Sequence, residues 1–208
     1  MKLDSAKVTP KVTGNWFKVH SPDTKFNTDG VFSVDVILDP NNPEHEQFME
    51  QVDNLAQEFA DVQISEDKKK KNWKVASKFK EVLDDEGDET GLMSCKFKQN
   101  AKMTAKKTGK VYEIKRIPVV DAKKKTLDTA IQIGNGSTVR IKFETRTYMS
   151  AKDKEFGVTL DLKMVQVIKL NALGSNDADG FDEEDGFISD DESFESTVPA
   201  NDNTSEDF

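Results

Sequence analysis

The chain has 208 residues, 33% of them charged and 35% hydrophobic, enough for one ordinary domain with a tail or for two small domains. Its formal charge of −9 is unevenly spread: residues 171–208 hold 8 Asp and 5 Glu with no Lys or Arg, so the first 170 residues carry 30 basic against 26 acidic side chains. The single Cys95 excludes an internal disulfide and a CxxC zinc knuckle, and with no run of about eighteen apolar residues for a membrane span, the expected setting is the cytoplasm.

The first segment, Ala6 to Val19, offers short β-compatible pieces broken by Pro10 and Gly14, with Trp16 and Phe17 adjacent. Neighbours on a strand point to opposite faces, so one ring is expected inside and the other free for contact. After the turn-like Ser21-Pro22-Asp23 and Thr28-Asp29-Gly30, Phe32, Val34, Val36 and Leu38 alternate with Ser33, Asp35 and Ile37, which predicts a strand. From Asn42 to Val62 the period changes. Phe48, Val52, Leu55, Phe59 and Val62 recur at spacings of 4, 3, 4 and 3, the pattern of an amphipathic helix packing on the sheet, with Pro43 near its start and Glu44 and Glu46 in its first turn. The outer face, with Glu50, Asp53, Glu58 and Asp61, repels a polyanion and belongs away from any nucleic-acid groove.

Residues 63–91 read as a charged connection. Lys68 to Lys71, Trp73, Lys74, Lys78, Phe79 and Lys80 mix cations with rings, the composition with which single-strand binders track a backbone and stack bases. The plain alternative is a loop with a short helix whose Trp73, Val75 and Phe79 dock on the body. Strands resume at Leu92 to Lys98 and Val111 to Val120, joined by a basic hairpin loop that contains Lys106 and Lys107 and turns at Thr108-Gly109. Pro118 marks an edge or a bulge, because it lacks the N–H of a central strand.

After a second Lys-rich turn, DAKKKTLD, Gly134-Asn135-Gly136 opens the clearest strand of the chain, Gly134 to Met149. Val139, Ile141 and Phe143 fall on one face, and Arg140, Lys142, Arg146 and Tyr148 on the other. A last strand, Phe156 to Leu170, places Val158, Leu160, Leu162 and Met164 on one side, with Asp161 and Lys163 opposite. Six or so strands, one long helix and short antiparallel links predict a mainly β fold: an OB-fold-like antiparallel β-barrel with the helix packed on it, over residues 1–170. Residues 171–208 are expected to be a disordered acidic tail, with Phe181, Phe187, Phe194 and Phe208 spaced through it as a docking peptide would have them.

Catalysis finds no support. Neither register of NDADGFDEEDG supplies the ligands of a calcium-binding EF-hand loop. His20 and His45, in a turn and at a helix start, lack a GxSxG or Cys/His partner signature. Asp35 and Asp161 read as exposed strand residues rather than a metal-nuclease pair. Gly134 and Gly136 suit a tight hairpin, since no helix follows to complete a phosphate loop. The expectation is a non-enzymatic protein with no cofactor and no metal.

GVFSVDVILDPNNP with the helix behind it, PVVDAKKK, IGNGSTVRIKF, LDLKMVQVIKL and an acidic tail ending in Phe208 follow in an order that resembles the gene-2.5-type single-stranded DNA-binding proteins of bacteriophages. The resemblance runs over most of residues 14–170 and the tail end, and is slight in 63–91. It implies an OB fold, a homodimer, protection and annealing of single strands, and recruitment of the replicative DNA polymerase and helicase-primase through the tail, by Asp207 and Phe208. It also implies DNA contacts by Arg140, Lys142 and Tyr148. Composition adds Arg146, Trp16, Trp73 and, in the basic hairpin, Tyr112 with Lys106 and Lys107. The reading is therefore a protein that coats single-stranded DNA and removes its secondary structure in phage replication and recombination. Its rivals are an acidic-tailed protein-interaction module or DNA mimic that binds no DNA, and a nuclease accessory fold.

Overall fold

The computed structural model describes residues 7–105 and 108–171. In chain order the elements are β1 (Lys7–Val8), β2 (Val12–Asp23), β3 (Val31–Leu38), α1 (Pro43–Glu66), a 3-10 turn (Lys68–Lys70), β4 (Lys74–Val75), β5 (Lys80–Leu83), β6 (Glu89–Asn100), β7 (Lys102–Thr104), β8 (Val111–Glu113), β9 (Val119–Val120), β10 (Ser137–Ser150) and β11 (Glu155–Lys169). Five strands form a circuit, β2–β3–β6–β11–β10 and back to β2. All its contacts are antiparallel except β6–β11, a parallel seam with the single registered pair Lys98 and Asp161. This is an OB-like barrel, loosely closed at that seam.

Alternation explains the core. Phe32, Val34, Val36 and Leu38 of β3 meet Cys95 and Phe97 of β6 and Val139, Ile141 and Phe143 of β10 in one buried cluster. Phe143 takes edge-on contacts from Phe97 at 5.3 Å and from Phe48 of α1 at 5.8 Å. The helix reaches the barrel because Val52, Ala56 and Ala60, small and buried, continue the face begun by Phe48. It starts where expected: the Asn42 side chain accepts the Glu44 N–H at 3.0 Å, with Pro43 in the first turn. It ends four residues later than the apolar spacing indicates, at Glu66, since no Gly or Pro interrupts it. At its start the buried His45 accepts the Asp39 N–H through Nδ1 and donates from Nε2 to Lys11 O, tying the helix to the β1–β2 link.

Other departures have local causes. Ser21-Pro22-Asp23 is the end of β2 rather than a turn, and the chain reverses at Asn27–Gly30, where Gly30 adopts φ 79 against Pro22. The segment 63–91 is not one loop, because β4 pairs with the distant β11 and β5 forms a hairpin with the start of β6. Val111 to Val120 is two strands: β8 forms a separate hairpin with β7, and past Pro118 β9 runs parallel to β11. In β11, Met164 leaves the inner face. Lys142 pairs with Met164 and Phe143 with Leu162, so Lys163 is an extra, bulged residue, after which Val165 and Val167 face inward. Asn171 closes the body on the turn before β10. It accepts the Gly134 N–H, donates its own N–H to Ser137 Oγ and its side-chain amide to Asn135 O.

Candidate nucleic-acid interface

On the outer face of β2, β3 and β6, walled by β5, lies a groove of about 580 Å³. The alternation that sends Phe97 inward sends Lys96 and Lys98 outward, while Lys80 comes from β5 and Lys78 from the segment just before it. Lys96 pairs with Asp35 at 3.1 Å, whereas Lys80 and Lys98 make no ion pair among the described residues. Burial strips water from the Lys78 ammonium and pushes its pKa down, and the Lys98 and Lys80 cations push the same way. A partly desolvated cation beside two more gains from any anion that enters the groove.

At the rim stands Trp16, 65% exposed, on a bulge of β2 with backbone φ 52. A left-handed conformation at a bulky residue costs about 1–3 kcal/mol and marks a place over-determined by its surroundings. Cations along a channel with an exposed ring at its edge make a surface on which a flexible polyanion can run its backbone and stack a base. The helix adds no cation to it: Glu50, Glu58 and Asp61 are exposed on α1, none of them lines the groove, and Asp53 accepts from the Ser77 hydroxyl.

The polar face of β10 is partly spent on itself. Arg146 grips Asp161 with two hydrogen bonds, one of 2.9 Å from Nη2, and this bond to the carboxylate pushes the guanidinium pKa up. Glu144 pairs with Lys163 at 3.0 Å. The Tyr148 ring lies on Gly157, where a Cβ would come within 2.7 Å of it, and its hydroxyl donates to Glu155 at 3.1 Å. Burial, then Glu155, raises the phenol pKa. Arg140 and Lys142 face outward beside β11 and β1, outside the groove; Arg140 is half-buried with Nε enclosed and unpartnered, and Lys142 is exposed.

The remaining candidates are dispersed. Tyr112 is exposed on β8 with Lys110 5.3 Å from its ring centre, on the hairpin outside the barrel. Trp73 packs on the body, its ring 5.4 Å from Phe156. Phe79 is buried against Phe48. Lys106, Lys107, Asp207 and Phe208 lie outside the described residues, as does the tail from 172 onward. Of the sequence candidates, the groove contains Trp16 and, from the basic stretch that also holds Trp73, Lys78 and Lys80. Lys96 and Lys98 join them in the groove, and Cys95-Lys96-Phe97-Lys98 carries their signal, an apolar and basic alternation inside a strand expected at 92–98.

An OB-like barrel with a cationic outer groove, an aromatic rim and an acidic helix set apart from it defines a nucleic-acid-binding module suited to single strands. The chain belongs to the family described as Single-stranded DNA-binding protein, Bacteriophage T7, whose model matches residues 14–170. The single-stranded DNA-binding protein of Escherichia phage T7 is 26% identical over 173 residues, covering 78% of this chain and 72% of that protein. The crystal structure of gp2.5, a single-stranded DNA binding protein encoded by bacteriophage T7, superposes with a TM-score of 0.67 at 22% identity, covering 87% of this chain and 99% of the other. The family is one of DNA-binding proteins, not enzymes.

Proposed function

We propose that this chain binds single-stranded DNA along the outer face of β2, β3 and β6, with phosphates on Lys78, Lys80 and Lys98 and a base on Trp16. The observation that carries this reading is the groove itself: a partly buried lysine, two unpaired lysines and an exposed, conformationally constrained indole on one concave surface. Arg140, Lys142 and Tyr148 extend the contact along β10, and the basic β7–β8 hairpin, with Lys106, Lys107 and Tyr112, lends further charge. Bound in this way, the protein coats single strands and removes their secondary structure during replication and recombination in the infected cell's cytoplasm.

The acidic segment from residue 172 acts as a tethered polyanion. In the absence of DNA it competes for the cations, and once displaced it offers Asp207 and Phe208 to the replicative polymerase and helicase-primase; a homodimer would present two such tails. The deciding experiment is a titration of full-length protein with fluorescent single-stranded and double-stranded oligonucleotides. Salt-sensitive binding to the single strand, with little affinity for duplex, is expected. Equal binding to both, or to neither, refutes the reading.

A further inference from the structure

We propose that Asn135, in the turn before β10, is a positioning residue for DNA: it locks Trp16 in the left-handed conformation that turns the indole out to stack on an unpaired base. The proposal rests on the reading of the groove as a single-strand site. In an unbroken β2, Val12 and Gly14 face inward, so Trp16 would follow them into the barrel and Phe17 would face solvent. The structure reverses this parity. Register is broken between Asn15 and Lys18, Trp16 takes φ 52, Phe17 packs against the core and Trp16 is left outside.

Two features sustain the reversal. Gly14 vacates the space Phe17 needs, since a Cβ there would lie 2.3 Å from the Phe17 ring. Asn135 Oδ1 accepts the Trp16 N–H at 2.8 Å, and in return Asn15 Oδ1 accepts the Gly136 N–H at 2.9 Å. These bonds join residues about 120 apart in sequence, so local preference plays no part in them. The turn is itself fixed from the other side, because Asn135 O accepts the Asn171 side-chain amide at 2.7 Å. A bulky side chain in the left-handed region, held by two cross-strand hydrogen bonds and aimed into a cationic groove, is preorganised: it need not be ordered when the base arrives.

The test uses the full chain carrying Trp73→Phe, which leaves Trp16 as the sole indole. Oligothymidylate binding is followed twice, by anisotropy of a labelled strand and by quenching of Trp16 emission. In that background Trp16→Ala should weaken binding about tenfold. Asn135→Ala should weaken it about threefold to tenfold, abolish most of the quenching and leave the salt slope unaltered, because stacking releases no counterions. Asn135→Asp, which keeps the acceptor oxygen, should restore the quenching.

A double-mutant cycle guards against a general loss of fold: Asn135→Ala added to Trp16→Ala should cost nothing further. Additive losses, or full quenching in Asn135→Ala, overturn the proposal. Unquenched Trp16 in the Trp73→Phe parent, if that protein still binds the strand, overturns it while sparing the groove. Failure of the parent to bind any single strand sinks the groove reading and the inference with it.

Discussion

Asp161→Asn should make this protein a stronger binder of single strands. Asp161 faces Lys98 across the β6–β11 seam, holds Arg146 through two hydrogen bonds and opposes the depression of the Lys78 pKa. A carboxylate so placed does in the free protein what a phosphate would do in the complex. Asparagine keeps its size and one acceptor oxygen but removes the charge. The Arg146 side chain is 57% exposed, so breaking the pair should cost at most about 1 kcal/mol of stability. A released Arg146 adds one phosphate contact, steepening the slope of log K against log salt by about 0.7, or roughly 2.6-fold in affinity for a fourfold dilution of salt. Anisotropy of a labelled oligonucleotide across a sodium chloride series measures the slope, and a melting curve of the same sample measures the cost. An unchanged slope, or weaker binding by a protein that melts normally, would show that Asp161 positions Arg146 instead of competing with DNA for it.

Lys80→Ala and Lys98→Ala should each flatten that slope by about 0.7; if Arg140→Ala and Lys142→Ala flatten it instead, the strand follows β10 and not the groove. Tyr148→Ala should weaken binding by about 1–3 kcal/mol at constant slope, one face of its ring resting on Gly157 and the other taking a base; a fall in melting temperature with unaltered affinity assigns the ring to packing. Burial pushes the Cys95 thiol up to about 12, so at pH 8 it should resist a thiol reagent until the barrel unfolds, and rapid labelling of the native protein would contradict its burial. Removal of residues 172–208 should tighten oligonucleotide binding most at low salt, where screening is weakest, and identical affinities with and without them would eliminate self-competition.

What could be read from the sequence was what depends on neighbours in the chain. The spacing from Phe48 to Val62 announces α1, and the alternations at 32–38 and 139–143 announce β3 and β10, because burial of one face leaves its period in the residues. The bulge at Lys163 is invisible for the opposite reason: it is a property of the β10–β11 pairing, and the run Val158 to Met164 alternates as if no residue were inserted. The candidate site suffers in the same way. Arg146 looks like a free cation until the register brings Asp161 to it, and the Trp16 N–H bonds to Asn135, a residue from far along the chain that nothing near Trp16 and Phe17 announces. Lys96 and Lys98 were legible in principle, but a lysine on a strand becomes part of a groove only when β5 stands beside it.

The attachment of Asn171 sets a rule for anyone trimming the acidic end. Asn171 is the last described residue, yet it belongs to the barrel, with hydrogen bonds to Gly134, Asn135 and Ser137. A variant shortened to Leu170 would lose a splint as well as a tail. Its turn would loosen, Trp16 with it, and a gain in affinity from lost negative charge could be cancelled by a stacking platform gone slack. Cutting after Asn171 separates the two effects with a difference of one residue, and the pair of shortened proteins, compared side by side, reports how firmly that splint holds.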